Sequence, residues 1–160
     1  MITVITRTSA RPRFFEKCRQ SVLNQTRKAF HIVTRDDPKD TYQTGDTVAN
    51  YFKWTGGGRQ SNRYFNYTHE LGIIPEEHPF VMFLDDDDHF FDSGAIEAIE
   101  AAITSDDDLL LWQVGFPEGR LVPGDGFGKP PVPGNITGIG FCYHKKHWVD
   151  WPPVDFGDYM

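Results

Sequence analysis

Phe80-Val81-Met82-Phe83-Leu84-Asp85-Asp86-Asp87-Asp88 is the stretch that decides the reading of this chain. Five consecutive apolar residues, preceded by the breakers Gly72 and Pro75, predict a strand buried on both faces, as in the centre of a mostly parallel sheet. The strand runs straight into four carboxylates. In open α/β sheets ligands gather beyond the carboxyl ends of parallel strands, so the acidic run stands where a ligand is expected. Adjacent carboxylates repel one another unless a cation or solvent relieves them. With a spacing of two, Asp85 and Asp87 are expected to point one way and Asp86 the other. Hard oxygens of this kind suit magnesium or manganese, with phosphate oxygens and water filling the remaining positions. The competing reading is a solvated acidic loop. A calcium loop of the twelve-residue type is disfavoured, because its regular oxygen ligands and central glycine are absent. Asp106-Asp107-Asp108 comes before a strand instead of after one, and reads as a solvated turn.

Working outward, Ile2 to Thr6 is rich in β-branched residues and predicts a buried strand, with Ser9 to Pro12 as its turn. Phe14, Phe15, Cys18, Val22 and Leu23 recur at helical spacing, so a helix is expected from Pro12 to Gln25-Thr26. Phe30 to Thr34 reads as a second strand, which completes a parallel crossover unit. Thr47 to Trp54 reads as a short strand or helix ended by Gly56-Gly57-Gly58, and Asn62 to Leu71 as a helix. Ala95 to Ile103 is the clearest helix, with Ile96, Ile99 and Ile103 on one face. Leu109 to Val114 and Ile136 to Tyr143 read as strands. The glycine- and proline-rich Gly115 to Gly134 between them reads as a surface excursion, and His144 to Pro153 as a basic, tryptophan-bearing turn.

The chain has 160 residues, a length expected to form one domain that buries about 70% of its unfolded surface. Aromatic residues make up 14%, which argues for a packed core over extensive disorder. The formal net charge of -7 disfavours a broad grip on nucleic acid, whose phosphates reward a positive surface. Cys18 and Cys142 lack metal-ligand spacing and read as two buried thiols. Met1 to Ile5 is too short for a signal peptide, and no run reaches the roughly 20 apolar residues of a membrane span. The expected setting is the cytoplasm, or a soluble domain of a longer protein.

At several ordered points the sequence resembles the GT-A-fold glycosyltransferases of the family-2 type. Arg7-Thr8-Ser9-Ala10-Arg11-Pro12 stands where that family has a Pro-Thr-aromatic-Asn-Arg-Pro-like turn after its first strand. Ser21-Val22-Leu23-Asn24-Gln25-Thr26 reproduces the family's helix ending. Asp36-Asp37 occupies the place of its Asp-Asp pair, although Pro38-Lys39 replaces the usual Gly-Ser. Leu84-Asp85-Asp86-Asp87-Asp88 matches its Leu-Asp-x-Asp-Asp motif. The resemblance implies an α/β fold, a GT-A-like nucleotide-sugar-binding sandwich around a mostly parallel central sheet, spanning residues 1–160 and continuing beyond Met160 in related domains.

The resemblance also implies an activity: inverting transfer of a hexosyl group from a nucleoside-diphosphate sugar, with UDP favoured, to a hydroxyl of a glycan or saccharide acceptor. Mn2+ or Mg2+ would be the cofactor. Thr8, Arg11 and Asp36 would lie around the nucleotide base and ribose. Asp87 would coordinate the metal, Asp85 would lie at the metal or nearer the ribose and sugar, and Asp86 would belong to the same donor segment. Either Arg59 or Arg63, in a reordered version of the family's Ala-Arg-Asn segment, would meet the diphosphate. Asp158 would be the general base; Gly157 stands where the family has the glutamate of its Glu-Asp pair. For several of these residues a structural role competes: a turn cap for Thr8, surface ion pairing for Arg11, a helix N-terminal position for Asp158. Two other functions fit parts of the pattern. One is an inactive nucleotide-sugar-binding fragment, and the other is sugar-phosphate nucleotidyl transfer, for which the first turn lacks a glycine-rich phosphate grip.

Overall fold

The computed structural model describes residues 1–8, 11–35, 48–51, 61–132 and 136–150. A strand β1 (Ile2–Thr8) leads into helix α1 (Pro12–Leu23) and strand β2 (Phe30–Arg35). A third strand β3 (Val48–Tyr51), helix α2 (Ser61–Glu70) and strand β4 (Phe80–Phe83) follow. Helix α3 (Ala95–Ala102) then precedes four shorter strands, β5 (Leu109–Leu111), β6 (Val114–Gly115), β7 (Leu121–Val122) and β8 (Phe141–His144). Six strands form one open sheet in the order β3-β2-β1-β4-β8-β5. The pairs β3/β2, β2/β1 and β1/β4 are parallel, while β8 runs antiparallel to both β4 and β5. The sheet is thus mixed, where a mostly parallel one is expected: parallel across β3-β2-β1-β4 and antiparallel at β8, with the acidic run leaving the central strand β4.

Alternation along β1 and β4 explains how the sheet is covered. Ile2 and Val4 of β1, with Phe80 and Met82 of β4, face Cys18 and Val22 of α1 and Ile96 of α3. Ile5 of β1, with Val81 and Phe83 of β4, faces the opposite way, against Phe65 of α2 and Ile74. Phe80 to Leu84 is buried throughout, which fits its lack of any polar residue, whereas the buried Thr3 and Thr6 of β1 are tolerated because their hydroxyls find partners. Cys18 and Cys142 are free, buried thiols, and burial pushes each up to about 12. Neither is a nucleophile at neutral pH.

Three expectations are corrected on the C-terminal side of the chain. The apolar run Leu109 to Val114 does not form one strand. The Trp112 amide turns to the Gly140 carbonyl at 3.1 Å, and Val114-Gly115 pairs with Leu121-Val122 in a separate two-stranded sheet. The surface excursion therefore holds regular structure of its own. The last strand begins at Phe141 and not at Ile136, because a turn closed by Gly140 N to Thr137 O at 3.0 Å precedes it. His144 ends this strand, and a 3-10 turn over Lys145–His147 follows, with the Lys146 amide capped by His144 Nδ1.

Candidate functional site

The pairing of β1 with β4 sets the site. An offset of 78 residues pairs Ile2 with Phe80 and Ile5 with Phe83, and the Leu84 amide extends the ladder by donating to the Ile5 carbonyl at 3.0 Å. The same offset continues past the strand ends and brings Arg7 to Asp85 and Thr8 to Asp86. Arg7 Nε and Nη2 donate to the two Asp85 oxygens at 2.8 and 3.3 Å, a bidentate fork on the α2 face of the sheet, where Arg7 also lies 6.0 Å over the Phe65 ring. Thr8 Oγ1 donates to Asp86 Oδ2 at 2.8 Å on the α1 face. Period-two alternation thus sends the first two aspartates to opposite faces.

Beyond Asp86 the chain turns, with the Asp88 amide bonded to the Asp85 carbonyl at 3.0 Å. Arg11, just before α1, straddles that turn. Its Nε donates to Asp86 Oδ2 at 3.1 Å, its Nη2 pairs with Asp86 Oδ1, and its Nη1 donates to Asp87 Oδ2 at 3.0 Å. The expected sharing of one direction by Asp85 and Asp87 is replaced by a different division: Asp86 and Asp87 share Arg11, and Asp85 belongs to Arg7. The turn breaks the simple alternation on which the expectation rested. Asp86 is fully buried, whereas the Asp87 side chain is about half exposed.

Asp88 is the carboxylate to which the family resemblance gives no role. Among the described residues it has no hydrogen-bond or ion-pair partner, although it is only partly exposed. Burial and then the charges of Asp85, Asp87 and Asp86 push it up to about 6, with Arg11 acting against them. Asp86 is also raised, by burial first; Thr8 and Arg11 offset only part of that cost. Burial lowers Arg11, but Asp86 and Asp87 outweigh it and hold the guanidinium above its ordinary value. Among the described residues the turn therefore carries an excess of carboxylate, with two arginines serving three aspartates and none serving the fourth.

Among the described residues no three His, Cys, Asp or Glu side chains come together as a self-sufficient metal cage. Magnesium-type sites on nucleotides use one or two carboxylates, with phosphate and water for the rest. The half-exposed Asp87 and the unpaired Asp88 supply that number of hard oxygens.

Of the other expected site residues, Asp36, Arg59 and Asp158 lie outside the described residues. Arg63 lies in α2, with its side chain outside the description. The backbone of Arg35, the residue before Asp36, pairs in register with Thr8, which brings β2 to the same edge of the sheet as the acidic turn. Arg7 is a site residue that sequence reasoning missed. Its place there follows from the register of β1 on β4, which local sequence spacing does not encode.

The fold is shared with solved bacterial proteins. No family model matches the chain, and no curated protein matches it. The crystal structure of S. aureus TarS superposes with a TM-score of 0.69 at 20% identity, over 91% of this chain and 28% of that one. The TarS 1-349 structure gives 0.66 at 19% identity, over 91% of this chain and 47% of that one. The apo form of the glycosyltransferase GlyE from Streptococcus pneumoniae TIGR4 gives 0.51 at 13% identity, over 91% of this chain and 34% of that one. The chain thus spans less than half the length of each of these structures. At such identities the likeness establishes the fold.

Proposed function

We propose that this chain is the donor-binding part of a glycosyltransferase, taking a nucleoside-diphosphate sugar, with UDP favoured, and passing its hexosyl group to a hydroxyl of a glycan. The observation that carries the reading is the acidic turn at the carboxyl edge of a parallel sheet. There Arg7, Thr8 and Arg11 hold three aspartates in fixed places, and Asp88 stands without a partner among the described residues. The shared fold with a protein described as a glycosyltransferase supports it.

In this reading Asp87 and Asp88 hold Mn2+ or Mg2+, which when bound offsets the negative charge of the diphosphate leaving group. Asp85 stays on Arg7 and faces the ribose or sugar. Asp86 anchors the turn from below, through Thr8 and Arg11. Arg11, engaged by both Asp86 and Asp87, borders the nucleotide base and ribose together with Thr8. Asp36 reaches the nucleotide base and Arg59 or Arg63 the diphosphate. Asp158 accepts the proton of the acceptor hydroxyl as that oxygen attacks the anomeric carbon, and inversion follows from attack opposite the departing diphosphate.

Incubation with manganese, a panel of nucleoside-diphosphate sugars and hydroxyl-bearing glycans, with nucleotide release and glycan mass followed together, tests the proposal. Acceptor-dependent release with one added sugar is expected. Tight donor binding with no product would favour an inactive binding domain, and failure of every donor to bind a folded protein would remove the site.

A further inference from the structure

The acidic turn is suspended between two anchorages. Upstream it leaves the β1/β4 ladder at Leu84. Downstream it is gripped by the end of α1. Ser21 Oγ accepts from the Phe90 amide at 3.1 Å while donating to the Cys18 carbonyl at 2.7 Å. Gln25, 2% exposed, uses its whole side-chain amide. Its Nε2 donates to the Asp92 carbonyl at 2.8 Å and to the Ser21 carbonyl at 3.0 Å, and its Oε1 accepts from the Ile96 amide in the first turn of α3 at 3.0 Å. Thr26 adds its amide, at 2.8 Å, and its hydroxyl, at 3.1 Å, to the Ser93 carbonyl.

One buried side chain thus ties three separate backbone segments together: the last turn of α1, the loop after the aspartates and the start of α3. Such a fully satisfied buried amide fixes relative positions, because each bond lost leaves a buried group without a partner. Arg7, Thr8 and Arg11 hold Asp85, Asp86 and Asp87 of the turn it secures, while Asp88 is repelled by those three, so the downstream end is the side that needs holding.

We propose that Ser21 and Gln25 are positioning residues of the donor site, setting where Asp87 and Asp88 stand by fixing the chain immediately downstream of them. The inference rests on the donor-site reading above, and neither residue touches the donor. It gives the Ser21-to-Thr26 stretch a physical role, since the helix ending holds the metal-side turn in place.

The test is manganese-dependent UDP binding by calorimetry on the full chain, alongside amide hydrogen exchange. Gln25→Glu keeps the acceptor for Ile96 but removes both donors and sets a carboxylate against the Asp92 carbonyl. Ser21→Ala removes the acceptor for Phe90 while placing a strong helix former in α1, so the fold is retained. Both are expected to weaken UDP binding by about tenfold and to speed exchange at Phe90. Ser21→Thr, which keeps the hydroxyl, is expected to restore the parent affinity. Leu110→Ala, a core truncation in β5 on the same apolar cluster, is expected to lower stability and leave UDP affinity unchanged. Unchanged affinity in folded Ser21→Ala and Gln25→Glu would overturn the inference, as would an equal loss in Leu110→Ala. Absence of UDP binding in the parent would instead overturn the donor reading on which the inference stands.

Discussion

Asp86 and Asp88 sit two positions apart in one acidic run, and their surroundings give them opposite roles. Asp86 is buried with Thr8 and Arg11 bonded to it, so Asp86→Asn is expected to lower unfolding stability by about 1–3 kcal/mol, read from the denaturant midpoint. Asp88 has no partner to lose among the described residues. Asp88→Asn is expected to leave the midpoint unchanged or raise it, since it relieves repulsion from its three neighbours, and to weaken manganese-dependent UDP binding by at least about tenfold. A stability loss in Asp88→Asn equal to that of Asp86→Asn would show that the two residues are not divided in this way. For Asp158→Asn, donor affinity close to the parent with a fall in transfer of about a hundredfold or more is expected, and unchanged turnover would reject it as the base. Asp85, Asp86 and Asp87, with Thr8 and Arg11, were legible in the sequence as candidates, whereas Asp88 was legible only as the end of the acidic run. Their pairing was not, because which carboxylate meets which arginine depends on a strand register and on a turn closed between Asp85 and Asp88, neither of which local spacing encodes.

At the scale of elements, β4 was legible from its unbroken apolar run, β1 from its β-branched residues, and α1 and α3 from their helical periodicity. The division of Leu109 to Val114 into β5 and β6 was not, since it depends on Gly140 arriving from the far end of an excursion to accept the Trp112 amide. Strand β2 hides a polar feature that its apolar pattern conceals. His31 is buried under α1, with Nε2 and Thr6 Oγ1 2.9 Å apart and its Nδ1 unpartnered among the described residues. Burial, then the charge of Arg19, lowers it from 6.5 to about 3. Above pH 6.5 the ring is neutral folded or unfolded, and it adds no pH dependence. As pH falls below that value the unfolded chain takes up a proton that the folded chain refuses, so stability declines until the folded ring titrates near 3. Urea midpoints measured across that window are expected to fall less steeply for His31→Gln than for the parent. Parallel slopes would show that His31 does not contribute to acid sensitivity.

Over the whole molecule, alternating strands and helices predicted a mostly parallel sheet, and the sheet observed is mixed, parallel across β3-β2-β1-β4 and antiparallel where β8 enters it. That reversal has no local signature, since Phe141 to His144 pairs with equal chemistry in either direction. No described helix is long and apolar enough to cross a membrane. The net charge of -7 gives the molecule a field that repels a diphosphate. In the proposed reading, donor binding therefore depends on a cation at the acidic turn, since Arg7 and Arg11 are already engaged by aspartates. Calorimetric titration of UDP with and without manganese, on the parent and on Asp87→Ala, tests this most directly. The account predicts binding by the parent that requires manganese and is weakened at least about tenfold in Asp87→Ala, with both proteins folded. Equal UDP affinity in the two proteins, or no binding by the folded parent with manganese present, would contradict it.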